Sequence, residues 1–126
     1  MNEIKVGQFV RLKIRGIYYI GKIVVDIAFY DNRYIFVSVK NKLEKDIVYE
    51  VDIYANDYVE LKPKDNLEDL LEIGDIVHFK TLNGTGELII KTEDRLKYFK
   101  ESVCNKQMII TAIELHENRF KQKLGG

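Results

Sequence analysis

The chain has 126 residues, and 20 Lys and Arg balance 20 Asp and Glu. That length suits one compact domain or two very small ones. Zero net charge excludes a global field favouring nucleic acid or an anionic membrane, so any such binding must come from a local patch. The single cysteine, Cys104, excludes an internal disulfide and suits a reducing compartment.

The start, "MNEIKVGQF", lacks the basic residues and apolar run of a signal peptide. Apolar stretches such as "IVV" and "MII" are too short to span a bilayer. The expectation is a soluble, cytoplasmic protein with no membrane partner. Eight Tyr, six Phe, one Pro and many Ile and Val lean toward β-structure.

In chain order, alternation is the first signal. In "QFVRLKIRG" Val10, Leu12 and Ile14 fall on one face and Arg11, Lys13 and Arg15 on the other. In "GKIVVDIAF" the inward set is Ile23, Val25, Ile27 and Phe29, and in "RYIFVSVK" it is Ile35, Val37 and Val39. Gly16 and "YDNR" at 30 to 33 supply turns, which predicts a three-stranded antiparallel meander. "NKLEKD" reads as a hairpin or loop. "IVYEVDIYANDYVELK" reads as two short strands with a turn near Ala55-Asn56-Asp57, closed by Pro63. "KDNLEDLLEIGD" places Leu67, Leu70 and Leu71 at helical spacing, over one or two turns and of the 3₁₀ type.

An internal repeat follows. "KVGQFVRLK" matches "EIGDIVHFK" at an offset of 67 residues, which aligns Val6-Gly7 with Ile73-Gly74 and Arg11 with His78. "IGKIVVD" matches "TGELIIK" at an offset of 65, which pairs Gly21 with Gly86 and implies a second hairpin two residues shorter. Asn83-Gly84 is a favoured hairpin turn, and Gly86 marks a close approach or bulge. A phosphate loop would instead lead into a helix, whereas "ELIIKT" reads as a strand. Farther on, "TEDRLKYFKES" is a short helix or a loop, "KQMIITAI" a strand, and "ELHENRFKQKL" a short C-terminal helix.

The succession hydrophobic-Gly-Asp-x-Val, hairpin, Gly-x-hydrophobic-hydrophobic at residues 73 to 90, and at 6 to 25 with Gln8 in place of Asp, resembles the opening hairpin of Tudor-like and SH3-like barrels. CarD-type domains that bind RNA polymerase open similarly. Over most of the chain, "VGQFVRLK", "NLEDLLEIGDIV", "GTGELII" and "IITAIELHENRF" resemble small uncharacterised proteins of Firmicute phages and prophages. The resemblance implies a mainly β fold: two tandem small SH3-like or Tudor-like antiparallel barrels, or one merged β-structure. The first repeat spans 1–64, a linker helix 65–72, and the second repeat with a C-terminal helix 73–126. It also implies a phage accessory role in host takeover or counter-defence, and carries no catalytic residues with it.

The residues themselves argue against an enzyme. His78, on an outward face, and His116, in the polar tail, read as solvated. Cys104 reads as a lone, partly buried thiol. Asp65, Glu68, Asp69, Glu72 and Asp75 read as caps and solvated surface. No metal site and no cofactor are expected. The candidate partner surface is the outward face of the meander: Arg11, Lys13, Arg15, Lys22, Tyr34 and Phe36, with Tyr18 and Tyr19 at the first hairpin pointing to opposite faces. Aromatic and Arg enrichment favours a protein partner, and with the phage resemblance the target becomes a host immune effector or RNA polymerase. Basic residues interleaved with aromatics also suit single-stranded nucleic acid. A sponge for a signalling nucleotide, with a pocket between repeats or subunits, and a homo-oligomer remain further alternatives.

Overall fold

The computed structural model describes residues 4–40, 45–53 and 59–124. The fold is mainly β, in two units, Met1–Leu70 and Leu71–Gly126. The expected loop over "NKLEKD" and the turn near Ala55 fall largely outside the described residues.

The first unit holds strands β1 (Phe9–Ile14), β2 (Ile17–Phe29), β3 (Asn32–Lys40), β4 (Asp46–Asp52) and β5 (Val59–Lys64), then a 3₁₀ turn, Leu67–Leu70. All neighbours are antiparallel in the order β4-β3-β2-β1-β5. The meander is therefore present, extended by β4 and flanked by β5. Pro63 is accommodated because β5 is an edge strand with no ladder beyond it among the described residues. Val10, Leu12, Ile23, Ile35, Val37, Val39 and Val51 form the core, with Tyr19, Tyr49 and Leu61 packed on it. Gly21 is required there, since a Cβ would lie 2.6 Å from Val37 Cγ1 and 2.9 Å from the Ser38 carbonyl.

The second unit holds β6 (Ile76–Thr81), β7 (Gly84–Ile89), α1 (Glu93–Cys104), β8 (Ile109–Glu114) and β9 (Lys121–Lys123), with sheet order β7-β6-β8-β9. Thr92 caps α1 by accepting from Arg95 N at 3.1 Å, with Glu93 and Asp94 in the first turn where the helix dipole favours anions. So "TEDRLKYFKES" is the helix of this unit. The C-terminal helix expected over "ELHENRFKQKL" is not formed. The chain turns after Leu115, Arg119 adopts φ +48°, and β9 instead completes the edge of β8. Neither sheet closes into the expected barrel among the described residues: β4 and β5 remain edges of the first, β7 and β9 of the second. Closure demands edge-to-edge bonding over matched lengths, and β9 is only three residues long.

The repeat is real at its corners. Gly7 and Gly74 have φ +95° and +99°. Gly7 N donates to the Ile23 carbonyl at 2.8 Å and Gly74 N to that of Ile90 at 2.7 Å; the return bonds, Ile23 N to Gln8 O and Ile90 N to Asp75 O, are 2.9 and 2.8 Å. Even the substitution Gln8 for Asp75 keeps its job. Lys5 N donates to Gln8 Oε1 at 2.8 Å and Glu72 N to Asp75 Oδ2 at 2.9 Å. These pairs all keep the offset of 67, so the second hairpin is not shorter, and Gly21 matches Leu88 rather than Gly86. The loops are Arg15-Gly16 and Leu82-Asn83; Gly84 ends the second loop at φ +126° rather than sitting inside it. Gly86 lies opposite Phe79, whose ring atom Cζ would sit 2.8 Å from an added Cβ. Residues 84–89 are a strand, as an anion-binding loop would not be.

One irregularity changes the first sheet. The β2–β3 register slips between Ile23 and Val25, so Val24 is an extra residue and every later side chain of β2 changes face. Val25, Ile27 and Phe29 therefore point out, opposite Phe36, Tyr34 and Asn32, not inward as the alternation predicted. Asp26 turns in, beside buried Ile35. Arg33 holds it with both forks, Nε to Oδ1 at 3.0 Å and Nη2 to Oδ2 at 2.8 Å, and Nη2 also donates to the Ile4 carbonyl at 2.7 Å. The Arg33 hydrogen bonds, opposed by desolvation, hold the Asp26 carboxyl below its usual value. A depressed folded value means stability that is present above the unfolded pKa of about 3.9 and lost as pH falls through the folded one. Urea midpoints of Asp26→Asn should thus decline less steeply than those of the wild type below about pH 4. Parallel declines would refute the pairing.

Candidate functional site

The predicted partner surface is partly assembled and partly broken. Lys22, Tyr34 and Phe36 do share the outer face of β2 and β3. Arg11 does not belong to an open surface: it is 2% exposed, opposite the equally buried Ile20, and its Nη1 donates to the Leu70 carbonyl at 3.1 Å. The 3₁₀ turn, 59 residues on, covers the middle of this face and separates two groups. At the hairpin end are Lys13, Arg15 and Tyr18, with the Lys13 ammonium 5.4 Å from the Tyr18 ring centre. At the other end Lys22 stands 5.5 Å from the Phe9 ring centre. Tyr18 and Tyr19 lie on opposite faces as expected, and Tyr19 packs on the core. Its ring centre is 5.9 Å from that of Tyr49, and burial, then the Tyr49 hydroxyl, push the Tyr19 hydroxyl up.

What the alternation missed is the apolar row that the bulge turns outward. Val25, Ile27, Phe29 and Tyr30 are 39%, 46%, 60% and 90% exposed, and Val48 on β4, opposite Ser38, is 56% exposed. Val25 and Ile27 lie directly opposite half-buried Phe36 and Tyr34 on one face of β2 and β3, with Lys22, Glu50 and Asp52 at its margin and Val48 beyond Ser38 on β4. No local signal announces it: "IVVDIAF" alternates regularly, with its carboxylate on the expected outer face.

His116 is exposed, as predicted, whereas His78 is largely withdrawn from solvent. His78, on central strand β6, is 15% exposed at its side chain, with Nε2 2.6 Å from Glu114 Oε2 and Nδ1 3.3 Å from Glu87 Oε2. Glu87 is its direct partner on β7, and Glu114 lies diagonally on β8, so three strands converge on one ring. A cleft of about 400 Å³ opens beside it, lined in part by Thr85, Thr111 and Lys121.

His116 follows β8 and reaches back to the start of the unit. Its Nε2 lies 3.1 Å from Glu72 Oε1 and 3.4 Å from Glu117 Oε1. Asp75, which the sequence placed among solvated acids, is fully buried: Oδ2 accepts from Glu72 N and Oδ1 from His116 N at 3.0 Å. Gly74 makes room, for a Cβ there would stand 2.9 Å from His116 Cβ. Two segments singled out in the sequence, "EIGD" and "LHEN", thus meet through one carboxylate. Asp65 accepts from Gln8 Nε2 at 3.1 Å. Cys104, expected partly buried, is exposed at the last position of α1. Among the described residues no helix is long and apolar enough to cross a membrane. No protein-family model matches the chain, and no curated protein or solved structure matches it.

Proposed function

We propose that the chain is a non-enzymatic binding protein that docks a protein partner on the outer face of its first sheet. The observation that carries this reading is the set Val25, Ile27, Phe29, Tyr30 and Val48, exposed on the sheet that holds Tyr34 and Phe36. An apolar and aromatic face rimmed by charges is what protein interfaces present. Lys22, Glu50 and Asp52 at its margin supply both signs, which fits a partner of mixed rim charge. Resemblance to phage proteins supports a host protein as the target, an immune effector or RNA polymerase, with inhibition as the outcome.

Nucleic acid is the second reading, through Lys13, Arg15 and Lys22. It is less favoured because Arg11 is withdrawn and two of the three cations already cover aromatic rings of their own sheet, the platforms on which bases would stack.

Capture from host lysate should recover a specific protein with the wild-type chain. Ile27→Glu with Phe29→Glu should weaken that capture at least about tenfold, the scale of a hot-spot loss. Equal capture by both chains would refute the surface, and capture of nothing would refute the reading. Binding of a single-stranded oligonucleotide that weakens with salt, without any protein captured, would select the second reading.

A further inference from the structure

We propose that Glu72, His116 and Glu117 bind a divalent first-row cation of the zinc class, a site separate from the partner surface. Three donors, two carboxylate oxygens and one imidazole nitrogen, lie within 4.8 Å of one another. Both carboxylates approach the same nitrogen, His116 Nε2, at 3.1 and 3.4 Å. Ligands held about 2.1 Å from a common cation at tetrahedral or octahedral angles stand about 3.0–3.4 Å apart, so the two nitrogen–oxygen spacings are those of neighbouring ligands. With the imidazole neutral and its proton on Nδ1, the Nε2 lone pair points into the space the carboxylates flank. The cation takes the place of the proton that would otherwise bridge nitrogen and oxygen, and its two charges offset the two carboxylates. An N,O,O donor set suits zinc, cobalt or manganese over cations that take oxygen ligands alone.

The cluster is also built in advance. Asp75 pins the backbone of Glu72 and of His116 with its two oxygens, and the left-handed Gly74 lets the two segments touch. Glu72 and His116 come from opposite ends of the unit, yet their main chains share one buried anchor. Side-chain exposures of 36% for His116, 34% for Glu72 and 16% for Glu117 leave one side open for water ligands. His78 makes the contrast. Its carboxylates face different ring nitrogens, Glu114 at Nε2 and Glu87 at Nδ1. No single nitrogen there has both oxygens in contact, and the ring is held between two carboxylates, one at each nitrogen.

The test titrates the untagged full chain with Zn²⁺ by calorimetry and with Co²⁺ by visible absorption. One cation per chain is expected, with cobalt ligand-field bands. Glu117→Gln should weaken affinity at least about tenfold, the lower end of what even an outer partner of a metal ligand costs, and His116→Ala should do the same. His78→Ala and Cys104→Ser should leave affinity unchanged. Circular dichroism establishes that each variant is folded; if His116→Ala is not, Glu117→Gln decides alone, because it preserves shape. Failure of Zn²⁺ and Co²⁺ to bind at millimolar concentration, wild-type affinity in folded Glu117→Gln, or loss of binding in Cys104→Ser or His78→Ala would overturn the site. None of these outcomes bears on capture of a protein partner by the first sheet.

Discussion

Replacing Asp75 with alanine should destabilise the chain by about 3–6 kcal/mol, since each hydrogen bond to a charged group contributes about 1.5–3 kcal/mol and two are lost. The carboxylate is wholly withdrawn from water, and its oxygens receive the backbone N–H groups of Glu72 and His116 at 2.9 and 3.0 Å. Alanine would leave both donors without this acceptor. Asp75→Asn should be intermediate, for an amide offers one oxygen where two are used. The loss is large against a total stability of about 5–15 kcal/mol. Urea unfolding read by amide signals of residues 71–124 would show it. Urea unfolding of Gln8→Ala, read by amide signals of the first unit, supplies the comparison, because the corner is repeated there with a neutral acceptor, and the smaller loss expected separates the charge from the turn geometry. Equal losses at the two corners would contradict the role given to the buried carboxylate.

Phe99→Ala should cost about 3–5 kcal/mol, the usual range for a fully buried phenylalanine. Phe99 is 0% exposed, with ring centres of Phe79 and Tyr98 at 5.8 and 5.9 Å. Only Phe99 and Ser102 of α1 are buried, so one side chain holds most of the helix to its unit. A helix of 12 residues is marginal on its own in water. The truncation should therefore release α1 ahead of the sheet: amide exchange in residues 93–104 should accelerate more than in β6 and β8. Uniform acceleration across the unit would mean that helix and sheet open as one.

Much of the architecture is legible in local pattern. Alternating Val10, Leu12 and Ile35, Val37, Val39 mark core-facing strands because side chains alternate with period two. Paired glycines at 7 and 74 mark the repeated corner, because few side chains tolerate φ near +95°. The short leucine run before "EIGD" reads as 3₁₀ from its length alone. Elsewhere the pattern misleads for reasons that can be named. A single inserted residue, Val24, reverses the parity of Val25, Ile27 and Phe29, and nothing in their own spelling marks the reversal. Constant offset through both hairpins was hidden by the resemblance of Gly86 to Gly21, two glycines used for different close approaches. The tail has helix-forming residues, yet β8 offers an open edge, and backbone bonding to it outweighs weak propensity.

Local pattern was enough for the β class, the strands as far as β8 and the corner glycines, since each depends on residues within a few positions of one another, and the repeat showed as that pattern recurring farther along the chain. Tertiary structure alone decided which faces stay open and which donors meet. Arg11 is covered by a carbonyl 59 residues away, and His116 reaches Glu72 through an aspartate 41 residues before it. Periodicity specifies the side of a strand on which a residue lies. Burial depends on what the rest of the chain lays over that side, and this is set by the joint packing of segments whose separation no local pattern records.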